Sequence, residues 1–449
     1  MTARAGRTLP GPQWRVVRQG VQRLSWGVAD QAVGALTNFL LAIYIARTLG
    51  AAEFGSFSIA YVTYGFVNNI SRGLAIEPLL TRFSGTERLP WRRAVKGATG
   101  TALLVGLVTG VCAALIGVLL GGSTGRAFLA LALVLPGLML QDSWRYTLFA
   151  ERRGQHAFLN DVIWALVQIP LLVLLRATGH ADTFTCVLAW GAGALVGAVV
   201  GAWQSHVLPS LRQTGDWLRQ HRDVGPRYLL ENTGNNASDT FRGYSVSGIL
   251  GLEAVGYMQA AGTLLGPFRI VFFGLGLMLT PETVRVAQRS PRRLPLFCAA
   301  ASAGLAVLAL AWSVTLLVAL PRGLGELILG DLWRPTYPLV LPTAIGVLSS
   351  CISLGAVQGL HALSAARRSL RGVLMSSAVI LTSTVVGALL GDVVTSMYCF
   401  AVASWFGTLL IWMQFRKAMH ESALAPLPAW LLPPRMPAPQ GAASGAGTV

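Results

Sequence analysis

Apolar residues run along this chain in twelve stretches separated by short polar loops. Each is close to the roughly 20 residues that a helix needs to cross the ~30 Å hydrocarbon layer of a bilayer. The pattern predicts spans at 24–47, 56–79, 97–120, 127–149, 157–178, 183–207, 228–250, 255–280, 295–320, 337–360, 371–391 and 394–415. Around them lie a basic N-terminus (1–23), an N-terminal lobe (24–208), a polar linker (209–227), a C-terminal lobe (228–416) and a tail (417–449). The Pro-, Ala- and Gly-rich tail is too poor in bulky apolar residues to build a core and is expected to be disordered. The expected fold is an all-α polytopic membrane protein. No cleavable signal peptide is expected, because the first apolar stretch is longer than an h-region of about 7–15 residues.

The two halves look alike. Leu49-Gly50-Ala51-Ala52-Glu53-Phe54-Gly55 follows the first span, and Leu250-Gly251-Leu252-Glu253-Ala254-Val255-Gly256 follows the seventh, at an offset of 201 residues. The next span ends at Glu77-Pro78 in one half and at Pro281-Glu282 in the other. Six spans per half bring both halves in from the same side, so the repeat is parallel, with its axis along the membrane normal. Within the linker, Leu211, Trp217 and Leu218 suit either a short helix at the membrane interface or a solvated segment. Glycines at 193, 197 and 201, at 106 and 110, and at 262 and 266 fall on single helix faces where neighbouring helices can approach closely.

Charge sharpens the topology. Only 12% of residues are charged, about half the usual share of a soluble domain. The net charge of +17 comes from 35 Lys and Arg against 18 Asp and Glu. Of the 35, 26 lie at the termini and in the even-numbered loops, five lie in the odd-numbered loops, and four (Arg72, Arg145, Arg242 and Arg269) fall inside spans. Lys and Arg accumulate in cytoplasmic loops, so both termini are expected in the cytoplasm and the basicity reports topology rather than nucleic-acid binding. Single-cysteine labelling checks this: a cysteine at Ser123, between spans 3 and 4, should react from outside and one at Ser290 should not. Reversed reactivity at either site would mean a wrong span count or orientation.

The chemistry worth noting sits inside the spans, where a charge at the bilayer centre costs about 2.5–3.5 kcal/mol on the insertion scale. Span 1 carries Asp30; span 2 carries Asn68, Asn69, Arg72 and Glu77; span 4 carries Gln141, Asp142 and Arg145; span 5 opens with Asn160 and Asp161. Span 7 is the most polar, with Glu231, Asn232, Asn235, Asn236, Asp239 and Arg242, and span 8 holds Arg269. Most lie in the middle or cytoplasmic half, as expected for a polar cavity between the lobes. On spacing alone, Asp142 with Arg145 and Asp239 with Arg242 are i, i+3 neighbours that can neutralise each other. Arg72 and Arg269 have no acid three or four positions away, so these two are expected to face each other across the cavity. The substrate-binding candidates are Arg72, Arg269, Arg242, Arg145, Asn68 and Asn235. The candidates for ion coupling or gating are Asp30, Glu77, Asp142, Glu231 and Asp239.

Several function classes fall away. The sequence holds no P-loop, no G-x-S-x-G and no H-E-x-x-H, so neither an ATP motor nor a catalytic centre is expected. The five cysteines all lie in apolar spans and form neither a disulfide framework nor a zinc site. The six histidines are scattered, and no metal or cofactor is expected beyond a coupling ion, H+ or Na+.

Certain segments resemble polysaccharide flippases of the multidrug/oligosaccharidyl-lipid/polysaccharide exporter superfamily. They are Ser25-Trp26-Gly27 with Gln31 and Asn38-Phe39, then Ala46-Arg47-Thr48-Leu49-Gly50 and Phe54-Gly55-Ser56-Phe57-Ser58. Glu77-Pro78, Gln141-Asp142-x-x-Arg145 and Leu329-Gly330-Asp331-x-Trp333 add to them. The resemblance covers roughly residues 24–416 and is most specific from Arg47 to Ser58. It implies two six-helix lobes in a V around a central cavity and alternating access in the inner (plasma) membrane. It also implies a lipid-linked sugar as substrate, with membrane lipids, a polysaccharide polymerase and glycosyltransferases as partners. Peptidoglycan-precursor flippases usually have two further helices, which this sequence lacks. The alternatives are a cation-coupled multidrug exporter of the same superfamily and a non-transporting scaffold of a polysaccharide-synthesis complex. Four arginines inside spans favour an anionic substrate over the cationic drugs that such exporters carry.

Overall fold

The computed structural model describes the backbone of residues 12–83, 88–363 and 365–424. Among the functional candidates, the side chains of Glu231, Asn235 and Arg269 lie outside the described residues. The first half comprises α1 (Pro12–Leu49), α2 (Ala51–Ser71), a π-helical turn (Arg72–Ile76), α3 (Glu77–Phe83), α4 (Arg88–Leu120), α5 (Gly122–Ala150), α6 (Gly154–Ala177) and α7 (Thr183–Ser205). A short α8 (Thr214–Gln220) lies in the linker. The second half comprises α9 (Gly225–Leu250), α10 (Leu252–Leu264), α11 (Gly266–Arg289), α12 (Leu294–Ala319), α13 (Leu324–Leu329), α14 (Trp333–Ala362), α15 (Ala366–Leu390) and α16 (Val393–Leu424). The even-numbered loops gather at one end of the bundle, called here the basic end.

Nine helices among the described residues are long and apolar enough to cross a membrane. The other three predicted spans, α2, α9 and α10–α11, are the most polar. Their position accounts for this: α2 and the π turn pack on α9 and α10, while α1 packs on α10 and α11. Helices that face protein rather than lipid can carry polar side chains. Polar spans and the seam between the halves therefore coincide.

The internal repeat has a geometric counterpart. Gly50 and Gly251 open α2 and α10 at φ 78°, ψ 175° and φ 88°, ψ 175°, a region that essentially only glycine occupies. A Cβ on Gly55 would collide with the Leu252 carbonyl oxygen, and one on Gly256 with the Ala51 carbonyl oxygen. The two contacts exchange under the same 201-residue offset. A two-fold axis at the α2–α10 crossing, relating self-complementary surfaces, produces this reciprocity.

The glycines of α7 seat large neighbours: Gly193 meets Trp164, Gly197 meets Asn160 and Gln141, and Gly201 meets Trp144. On α4, Gly106 and Gly110 abut Pro136 and Ala132 of α5. At the expected pair of Gly262 and Gly266, Phe39 approaches Gly266, while among the described residues nothing lies within 4 Å of a Cβ at Gly262. Cys112 is exposed on the outer face of α4, whereas Cys186, Cys298 and Cys351 are buried.

One segment boundary moves, and the linker changes character. Helix α16 continues to Leu424, beyond the expected end near 416. Buried Phe415 and Ala418 extend its packing, and Glu421 pairs with Arg368 of α15. The rest of the expected tail, 425–449, lies outside the described residues. The linker is a docked structure rather than a solvated one. Ser210 N donates to Lys96 O at 3.2 Å, and Trp217 and His221 are buried.

Candidate functional site

Helix α5 carries Gln141, Asp142 and Arg145 within about two turns of its basic end. Helices α2 and α6 pack on α5, and α1 reaches this turn through Asp30. Arg72 reaches from the π turn to Asp142 as a fork, Nε to Oδ2 at 2.9 Å and Nη2 to Oδ1 at 2.7 Å. Its guanidinium lies 4.9 Å over the Tyr146 ring. Asn68 completes the pair, its amide oriented to donate to Asp142 Oδ2 at 3.0 Å and to accept from Arg72 Nη2 at 3.3 Å. Arg145 turns the other way: its Nε donates to Asp30 Oδ2 at 2.8 Å and lies 3.4 Å from Asp161 Oδ2. Gln141 Nε2 holds Asp161 Oδ1 at 2.8 Å and Asn160 Oδ1 at 3.2 Å, and Asn160 Nδ2 donates to Gly197 O at 2.7 Å.

This arrangement corrects the expected pairing. Asp142 and Arg145 share a helix face but do not neutralise each other. Each finds a buried partner on another helix: Asp142 takes the two-pronged fork of Arg72, and Arg145 shares its guanidinium between one oxygen of Asp30 and one of Asp161. Arg72 is accordingly not unpartnered: only 28% of its side chain is exposed and its fork is engaged by Asp142, while the Arg269 side chain expected opposite it lies outside the described residues. The network also lies inside the first half rather than between the halves. It sets three buried carboxylates (Asp30, Asp142, Asp161) against two guanidiniums (Arg72, Arg145), and Asp30 Oδ1 has no hydrogen-bond partner among the described residues. Fully ionised, the cluster carries one uncompensated negative charge, which uptake of one proton or monovalent cation would neutralise. Asp161 and Asn160 are the members that reasoning from sequence left off the site. Their signal was a pair of polar residues about two turns into an otherwise apolar α6.

The π turn owes its shape to Pro78, which has no N–H to give the Leu74 carbonyl one turn back. The helix widens so that Glu77 N donates to Arg72 O, as π-bulges often do at functional sites. The Trp217 indole of α8 then donates to Leu74 O at 3.0 Å. Gly73 lets the turn lie against the backbone of Tyr228 and Leu229 at the start of α9. Glu77, half-buried, opens α3 at the end of the turn.

In the second half Arg242 stands in a different state. Its Nη2 lies 3.1 Å from Asp239 Oδ1, as the i, i+3 spacing predicts, and its guanidinium sits 4.2 Å over the Phe400 ring of α16. Asp239 is 68% exposed while the Arg242 side chain is 18% exposed. Both Nε and Nη1 of Arg242 are buried without a hydrogen-bond partner among the described residues. Among the described residues, Arg242 is thus the arginine inside a span whose unpartnered donors are buried. Phe400 could not have been assigned from sequence, because it lies more than 150 residues away on the last helix.

A cavity of about 680 Å³ lies between α2, the α4–α5 turn and α9. Its wall includes Thr63, Ser123, Thr124, Tyr244 and Ser247. Thr63 Oγ1 and Tyr244 Oη are 2.7 Å apart across the seam. The cavity lies toward the end opposite the basic one and no charged side chain lines it, unlike the expected polar cavity nearer the basic end. The charges expected to line that cavity are partly spent on each other inside the first half.

No family model matches the chain, and no curated protein matches it. Solved structures do. The lipid II flippase MurJ in an inward closed conformation superposes with a TM-score of 0.67 at 11% identity, over 89% of this chain and 90% of that one. An inward-facing multidrug resistance MATE family transporter of the MOP superfamily gives 0.66 at 14% identity, over 87% and 96%. A MOP superfamily transporter from Pyrococcus furiosus gives 0.58 at 13% identity, over 89% and 95%. At these identities the likeness concerns architecture. The chain has the fold of MOP superfamily transporters, and it is an all-α, multi-pass membrane protein.

Proposed function

We propose that this protein moves a polyprenyl-pyrophosphate-linked oligosaccharide, or a related polysaccharide precursor, across the plasma membrane by alternating access. Both termini lie in the cytoplasm in this reading, and a polymerase and glycosyltransferases act before and after it. The observation that carries the choice of substrate is Arg242. Two buried guanidinium nitrogens without a partner suit an anionic headgroup whose oxygens accept from both, and they repel a cationic drug. The fold supports the reading in general terms, since one structural neighbour is a lipid II flippase. Another has been described by the reverse polarity of its binding pocket, so the scaffold accommodates pockets of different charge.

The cluster of Asp30, Asp142, Asp161, Arg72 and Arg145 serves in this reading as the coupling element, its excess carboxylate taking up a proton or Na+ as the halves rock. The same excess carboxylate favours the second reading, a cation-coupled multidrug exporter. Reconstituted vesicles separate the two. The protein should speed exposure of a fluorescent prenyl-pyrophosphate disaccharide on the far leaflet and leave ethidium distribution unchanged. Ethidium movement driven by an ion gradient, without movement of the lipid-linked sugar, would replace the first reading with the second. Movement of neither would favour a scaffold.

A further inference from the structure

The linker between the halves has two faces of opposite character. Its inner face is pinned to the first half. Arg92 Nη2 donates to His206 O at 2.6 Å, Arg82 Nη1 donates to Gln220 O at 3.1 Å, and Arg82 also pairs with Asp223. Gly97 and Gly100 of α4 leave room for the Trp217 ring and the Ser210 carbonyl. His221 stacks on Trp217 with ring centroids 4.0 Å apart, and burial pushes its imidazole below the usual range, so the stack holds a neutral ring.

The outer face has no such partners among the described residues. Trp203 and Leu208 are 73% and 72% exposed, and Leu211 and Leu218 are exposed as well. Interleaved with them are the exposed Arg212, Arg219 and Arg222. Helix α7 runs from Thr183, so Trp203 lies about 30 Å along it, at the limit of the hydrocarbon layer. Indole, leucine and arginine at that depth match the headgroup region of a membrane, where aromatic rings settle and arginines meet lipid phosphates.

We propose that the outer face of the linker is a docking surface for anionic phospholipid headgroups, and that docking is transmitted by Trp217 to the π turn that bears Arg72. The wire is short. Leu218 and Arg219 of the outer face directly follow Trp217 in its seven-residue helix, with Arg212 and Arg222 just outside its ends, and the Trp217 Nε1 bond ends on Leu74, two residues from Arg72. Lipid charge then tunes how firmly the turn is held, independently of what substrate is carried.

Amide exchange of the full chain in nanodiscs tests both parts. Segment 211–222 should exchange roughly a hundredfold more slowly in equal parts phosphatidylcholine and phosphatidylglycerol than in phosphatidylcholine alone, the order expected for three arginines at an anionic surface. High salt should erase the difference. Arg212→Gln, Arg219→Gln, Arg222→Gln together should also erase it, with exchange in phosphatidylcholine unchanged. Equal exchange in the two lipids, or a triple variant that keeps the full difference, would overturn the docking surface. So would inorganic phosphate giving the same protection in phosphatidylcholine. For the coupling, residues 72–76 should show the lipid dependence in the native protein and lose it in Trp217→Phe, which keeps a ring and removes the donor. A lipid-independent π turn in the native protein would overturn that part.

Discussion

Arg145→Gln is expected to remove most of the folded protein from the membrane. The change leaves Asp30 and Asp161 facing each other in a shielded site with no cation between them. Breaking a buried pair from one side costs about 3–5 kcal/mol, a large part of the roughly 5–15 kcal/mol that holds a typical protein folded. The rescue pattern identifies the partner. Asp30→Asn added to Arg145→Gln should restore much of the folded protein, because Asp30 accepts from Arg145 Nε. Asp142→Asn should not, because it strands Arg72 instead. Asp30→Asn alone should be tolerated, since the cluster then balances two carboxylates against two guanidiniums. Fluorescence-detected size-exclusion of the extracted protein reads all four variants. Rescue by Asp142→Asn and none by Asp30→Asn would show that the i, i+3 pair operates after all.

Arg242→Gln is expected to behave in the opposite way, leaving the protein folded and removing transport. Its carboxylate neighbour Asp239 is largely exposed, so water replaces the lost charge there. The transported anion loses charge-assisted hydrogen bonds of about 1.5–3 kcal/mol, equivalent to roughly ten- to a hundredfold in affinity for the lipid-linked sugar. Arg242→Lys should recover part of this, because it keeps the charge and loses the fork. Asp239→Asn should tighten binding by freeing Nη2. Full transport by Arg242→Gln at normal expression would remove the residue from the substrate site. The expectation for Arg72→Gln shifts accordingly. It frees Asp142 in a buried setting, so folded protein should fall before transport can be assessed.

Features set by the bilayer and by local backbone chemistry were legible in the sequence. Apolar stretches of about membrane-spanning length located all twelve spans. Among the described residues nine of these helices are long and apolar enough by themselves, and α2, α9 and α10–α11 are not. The repeat was legible because Gly50 and Gly251 occupy a conformation closed to other residues, so their identity survives at a fixed offset. The Asp239–Arg242 pair was legible because both partners lie on one helix, where spacing alone sets their distance.

Only tertiary packing decided the remaining partners. Helical periodicity compares a residue with its neighbours one turn away and says nothing of a helix arriving from elsewhere. Asp142 and Arg145 look like a pair by spacing. Yet α2 brings Arg72 to one side of α5, while α1 and α6 bring Asp30 and Asp161 to the other. Shielded contacts across helices, a fork for Arg72 and a shared pair of carboxylates for Arg145, outweigh a pairing along one helix, because shielding from water strengthens the attraction of well-placed opposite charges. The same limit hid Phe400 beneath Arg242, and Trp217 as the donor to the carbonyl that Pro78 leaves unserved. Composition placed the charges in the membrane, and the packing of helices distant in sequence determined which of them remained free to meet a ligand.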